Sequence, residues 1–78
     1  MAASPYEDRH PGTRHLVRYF GYGHLPAHLQ PVSQAVHDIM QDIVDLVPDG
    51  PELTAGLRKL LEAKDCFVRA VLDAKQEG

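Results

Sequence analysis

Three aromatic side chains, Tyr19, Phe20 and Tyr22, stand among Arg14, Arg18, Gly21 and Gly23 within residues 13–25. The rings offer flat faces and the guanidinium groups offer charge. The two glycines break a helix and open backbone conformations closed to other residues, so a ligand can approach the main chain closely. Such a set suits a nucleotide. Its base stacks on a ring, a contact worth about 1 to 3 kcal/mol, while its phosphate meets guanidinium. The same rings can instead fold back and cap the apolar end of a helical domain. Residue types alone leave both readings open, and different rings can serve different ends.

Other residues with chemical potential carry weaker signals. His24 and His28 have the spacing of helical metal ligands, but Pro26 lies between them and no third ligand is near, so no metal is expected. Arg69 follows Asp65 by four residues, the spacing of a surface pair worth about 0.3 to 0.5 kcal/mol. If copies of the chain meet on a symmetry axis, the same arginine becomes one of several gathered around an anion. Cys66 is the single cysteine, so no intrachain disulfide can form. Beside Phe67 and Val68 it reads as a half-buried thiol. Ser33 has no motif around it, no glycine-rich phosphate loop precedes a helix, and no carboxylate pair falls in a predictable cleft. The chain therefore reads as a binding protein and not as an enzyme.

The elements that must position these residues are helical, and the fold class expected is all-α. Residues 1–12, with Ser4-Pro5 and Pro11-Gly12, read as a flexible lead, and residues 13–75 as one helical-hairpin domain. The first 25 or so residues show no helical period, so residues 13–25 are expected to form an ordered aromatic loop. The first helix is expected over about 26–47, with a short turn over 26–30 and a restart at Pro31. Val32, Val36, Ile39, Ile43 and Leu46 form its apolar stripe, with Met40, Val44 and Val47 beside it. Asp38, Asp42 and Asp45 belong to its solvated face. Pro48 ends it, Asp49 or Gly50 caps the next helix, and Pro51 and Glu52 suit that helix's first turn. The second helix is expected over about 51–75, with Leu53, Leu57, Leu60, Leu61, Phe67, Val68, Val71 and Leu72 on one broad face. So short a connection makes the two helices antiparallel neighbours.

At 78 residues this is one domain. A chain of this size buries only about 60% of the surface its unfolded state exposes, and two such faces exceed what one hairpin covers. A homo-oligomer is expected. The formal charge of −3 is uneven. The acidic residues crowd into residues 31–78, which makes long nucleic acid a poor partner, and only the N-terminal segment is suited to an anion. No stretch approaches the roughly 18 apolar residues of a membrane span and no signal peptide is evident, so no membrane partner is expected and the protein reads as soluble and intracellular.

Gly21-Tyr22-Gly-His-Leu-Pro at the entry to a helix, Pro48-Asp-Gly-Pro-Glu at a tight bend, and Leu57-Arg-Lys-Leu-Leu-Glu-Ala-Lys-Asp-Cys-Phe-Val-Arg69-Ala-Val in the last helix resemble a known family. They are similar to short phage proteins related to the anti-CBASS and anti-Thoeris sponges, and the similarity spans about residues 13–75. The resemblance implies a homohexamer of helical hairpins acting in the cytoplasm of a bacterial host. It would sequester cyclic dinucleotide messengers in pockets shared by neighbouring chains, with cyclic trinucleotides at separate threefold sites. The family's tyrosine before the first helix matches Tyr22, and its arginine in the last helix matches Arg69. Its lysine on the first helix falls near His37, a departure in residue type. The expected ligand-binding residues are thus Tyr22, His24, His37, Arg69 and Arg18, with no catalytic residue and no cofactor. The other class of function that fits the sequence is a structural or protein-binding hairpin whose aromatic segment is a packing lid.

Overall fold

The structure, a computed structural model, describes residues 8–77, with side chains as far as residue 75. The first seven residues of the expected lead lie outside it. Among the described residues the chain is all-helical. Three α-helices, α1 (Pro11–Val17), α2 (Gln30–Leu46) and α3 (Pro51–Glu77), are joined by 3-10 turns at Arg18–Phe20 and Ala27–Leu29 and by a bend at residues 47–50.

The prolines set the boundaries of α2. Pro26 is extended (ψ 149°) before the 3-10 turn, and Pro31 lies in the first turn of α2, where a missing N–H costs no helical bond. Val47 leaves the helix for an extended conformation, as the residue before Pro48 must to avoid the proline ring. The Gly50 carbonyl accepts the first bond of α3, from the Thr54 N–H at 3.2 Å. The Asp49 carboxylate, a candidate cap for α3, turns instead toward residues 9–13.

The segment before residue 21 corrects the sequence reading. It contains α1 and its 3-10 continuation where a non-helical loop is expected. Pro11 occupies the first turn, and the His10 ring Nδ1 accepts the Gly12 N–H at 3.0 Å as an N-cap. A helical segment of ten residues is marginal alone and shows too few turns for a clear period. Docking supplies what propensity lacks. Thr13, Leu16 and Phe20, spaced three and four apart, are all buried.

That docking also rotates α2 away from its expected stripe. The core is built from Leu16, Phe20, Val36, Met40, Val44, Leu53 and Leu57, with Val17, Ile43, Leu60 and Leu61 packed against it. On α2 the buried line runs Ser33, Val36, Met40, Val44, while Ile39 and Leu46 are 49% and 82% exposed. A two-helix hairpin needs only one seam. Because α1 packs on α3 and the 3-10 turn at Arg18–Phe20 packs on α2, Met40 must face both neighbours. At 1.5 Å per residue, α3 outruns α2 by about 15 Å, and near its far end Phe67 and Leu72 are 50% and 38% exposed.

A polar latch ties the start of this segment to the bend. The Arg9 guanidinium donates to the Val44 and Val47 carbonyls, the latter at 2.7 Å, and to Asp49 Oδ1 at 3.1 Å. These are carbonyls at the C-terminal end of α2, which has no basic residue of its own in its last turn. Asp49 in turn accepts from the His10 N–H at 2.9 Å and the Thr13 hydroxyl at 3.0 Å. The His10 N–H foremost, with lesser help from Thr13 and Arg9, holds the Asp49 carboxyl below its ordinary value of 3.8, against desolvation, which is the second-largest effect and opposes them. A carboxyl lowered on folding stabilises the fold above its ordinary pKa, and that contribution is lost as pH falls through the folded-state value. Asp49→Asn should therefore lower the thermal midpoint at pH 7, and its difference from the wild type should shrink below about pH 4. Arg9→Ala should cost about 1 to 2 kcal/mol in the same melts.

Candidate ligand-binding site

The turn between the two 3-10 segments carries Tyr22 and His24, two of the residues singled out for nucleotide binding, and it is fastened at both ends. The Leu25 N–H donates to the Tyr22 carbonyl at 3.1 Å, closing the turn. Gln30 Nε2 donates from the start of α2 to the Leu25 carbonyl at 2.9 Å and, more weakly, to the Gly23 carbonyl at 3.5 Å. On the other side, Lys64 Nζ donates to the Tyr19 carbonyl at 2.7 Å and lies 3.5 Å from the Gly21 carbonyl.

The three neighbouring rings meet three different fates. Phe20 is wholly buried in the core. Tyr19 is 54% exposed and stands edge-on to His15, ring centroids 5.5 Å apart. Tyr22 is half-buried against His37 of α2, with centroids 5.2 Å apart and planes inclined at 71°. Two of the expected site residues, 15 positions apart in the chain, are thus in contact.

The remaining expected residues divide. His24 is exposed in the same turn, its Cε1 3.9 Å from where a Cβ on Gly21 would stand. Arg18 is exposed on the adjoining 3-10 turn. Arg69 belongs elsewhere, on the far part of α3, where its Nη2 donates to Cys66 Sγ at 3.4 Å and not to Asp65 as the spacing suggests. Cys66 itself is exposed, contrary to the half-buried reading. His24 and His28 fall on a turn and on a 3-10 segment, so they share no regular helical face.

The glycines differ from expectation too. No described glycine has a positive φ, and Gly21 is extended at φ −60°, ψ 146°. Their backbone freedom is not what the turn uses. Gly23 stands in open space, where a Cβ would meet nothing within 4 Å.

Electrostatically the site is a polar edge on an apolar base. His37 Nδ1 is buried without a hydrogen-bond partner, 3.6 Å from Asp38 Oδ1. Lys64, which sequence reasoning passed over, is 9% exposed, and burial pushes its ammonium below the ordinary lysine value while Asp65 opposes the shift. Its signal was a gap. Leu53, Leu57, Leu60 and Lys64 follow the same three-and-four spacing, so the lysine occupies an apolar position of the stripe.

The Tyr22 and His37 rings should report on one another. Tyr22→Ala should shift the His37 ring-proton resonances and cost about 0.5 to 1.5 kcal/mol for the lost aromatic pair, beyond the area exposed. NMR titration and thermal unfolding of the one variant read both quantities. Compared with protein-family models, with curated proteins and with solved structures, the chain has no match, and its function rests on the site itself.

Proposed function

We propose that this protein is a non-enzymatic sponge that binds a cyclic oligonucleotide immune messenger and withholds it from a host effector, as the resemblance to phage anti-defence proteins implies. The observation that carries the reading is the Tyr22–His37 contact. It sets the half-buried Tyr22 ring against α2, beside a turn where the space around Gly23 is open. Arg18 and His24, both exposed on the same stretch, are the groups available to phosphate.

Sequestration makes an energetic demand. To outcompete an effector for a dilute messenger, the dissociation constant must be near 1 nM, about −12 kcal/mol. One half-buried ring, one exposed guanidinium and one exposed imidazole on a single chain fall well short. A pocket closed by a second chain desolvates the phosphates and stacks both bases. Assembly is therefore part of the proposal, and the exposed Ile39, Leu46, Phe67 and Leu72 are apolar surface suited to it. Six chains per particle is the number that the resemblance implies.

The same exposed apolar residues favour a second reading, an oligomerising or partner-binding helical module with no small ligand. One experiment separates the two. The purified protein is mixed with cyclic di-AMP, cyclic di-GMP and cyclic tri-AMP, then digested, and the nucleotides are recovered. Tight binding with intact ligand returned supports the sponge. Absence of binding by a particle that light scattering shows to be oligomeric supports the module.

Two substitutions refine this. Tyr22→Ala should weaken cyclic dinucleotide binding by about 1 to 3 kcal/mol, the value of a base stack, while leaving assembly intact. Arg69→Ala should spare dinucleotide binding yet cost several kcal/mol, on the order of 3 or more, for a trinucleotide held by several copies of the arginine. Calorimetry with both ligand classes measures each. Unchanged trinucleotide binding by Arg69→Ala would remove the second site from the proposal.

A further inference from the structure

We propose that Lys64 is the positioning residue of the Tyr22–His37 site: from the middle of α3 it holds the backbone on which Tyr22 is mounted. The inference rests on the sponge reading for its consequence in binding, but its structural content is independent of any ligand.

The Pro11–Phe20 helical segment ends at Phe20, and the last carbonyls of any helix lack intrahelical donors. The backbone cap at this end is a long bond, 3.5 Å, from the Gly21 N–H to the Arg18 carbonyl. Lys64 Nζ supplies the missing donor to the Tyr19 carbonyl at 2.7 Å and reaches toward the Gly21 carbonyl at 3.5 Å. A cation at the C-terminal end of a helix is also favoured by the helix dipole. The two carbonyls flank Phe20, whose ring is wholly buried. The 19–21 backbone is thus held both by the ring in the core and by the ammonium group.

Tyr22 is the next residue. Its ring can meet His37 at 5.2 Å only if the chain leaves Gly21 in one direction. Without Lys64, the φ and ψ of Gly21 are the softest torsions in the segment, since glycine has no Cβ to restrict them. Gln30 would still hold Gly23 and Leu25 from the far side, so the turn would stay attached while its near end swung.

This also accounts for a buried lysine at an apolar position of the α3 stripe. Packing alone calls for leucine there, and burying an ammonium is costly unless it is hydrogen-bonded. The carbonyls of Tyr19 and Gly21 are the partners that make the position tolerable, and the order they impose on the turn is what the lysine contributes.

The test uses the full chain with Lys64→Met, which keeps the length and apolar stem but removes the donors, and Lys64→Arg, which restores donors. In Lys64→Met the helix content should remain, the nuclear Overhauser contacts between the Tyr22 and His37 rings should disappear, and affinity for cyclic di-AMP or cyclic di-GMP should fall about tenfold, the loss of one charged hydrogen bond. In Lys64→Arg the ring contacts should return. Ring contacts that persist in Lys64→Met, or stay absent in a folded Lys64→Arg, overturn the proposal.

If Lys64→Met does not fold, the wild type decides. The Lys64 ammonium protons should exchange slowly and show contacts to the Tyr19 and Gly21 α-protons. Exchange as fast as that of exposed Lys59 overturns the proposal. Should the wild type bind none of the nucleotides, the sponge reading fails, while the ring contacts still judge Lys64.

Discussion

The burial of Phe20 is the constraint on which the rest of this structure depends. Two amphipathic helices of unequal length do not enclose a core by themselves, and the ring of Phe20, wholly buried with Leu16 one turn earlier, is the third wall. Removing a buried phenylalanine from such a site typically costs about 3 to 5 kcal/mol, a large share of what a small domain holds in reserve. The path of residues 11–20 follows from it. The 3-10 turn tightens to bring residue 20 inward, α1 is drawn onto α3, and α2 turns Met40 rather than Ile39 to the core.

A segment held only by one ring would pivot about it, and two polar attachments prevent this. Arg9 and Asp49 fasten its start to the bend at residues 47–50, and Lys64 fastens its end to the middle of α3. The attachments share a logic. In each, a cation meets carbonyls that lie at a helix C-terminus and have lost their intrahelical partners, so one side chain both satisfies acceptors and opposes the dipole. With residues 9–21 fixed at three points, the direction in which the chain enters the Tyr22 turn is fixed as well. The three adjacent rings then have no choice of fate: one is core, one faces solvent, and one lies against His37.

What the fold leaves uncovered matters as much as what it covers. Leu46 and Ile39 on α2 and Phe67 and Leu72 on α3 stay exposed, and Ile43, Val47, Leu53, Gly56, Leu57 and Leu60 line an open groove of about 200 Å³ between the helices. Fully burying an exposed apolar side chain is worth up to about 1.5 to 3 kcal/mol, less for one already partly covered. The proposed closing of ligand pockets between chains and the burial of this surface are therefore one demand, not two.

How much of this was written in the sequence depends on the range of the interaction. The proline positions and the three-and-four spacing of leucine and valine determined that α2 and α3 exist, because helix boundaries and amphipathic faces are local properties. The spacing of Thr13, Leu16 and Phe20 was local too, but ten residues with Gly12 among them and Gly21 after them give too few turns to declare a helix that only docking makes stable. Tyr22, His24, Arg18 and His37 were recognisable as candidate ligand groups from residue type and resemblance, whereas the contact between Tyr22 and His37 depends on the path of the turn. Lys64 showed itself only as a polar interruption of an apolar stripe, and its partners at Tyr19 and Gly21 lie more than forty residues away. The Arg9 to Asp49 latch spans forty residues and had no local signal at all. Tertiary structure decided these because a hydrogen bond across such a distance exists only after hydrophobic burial has brought its two ends together.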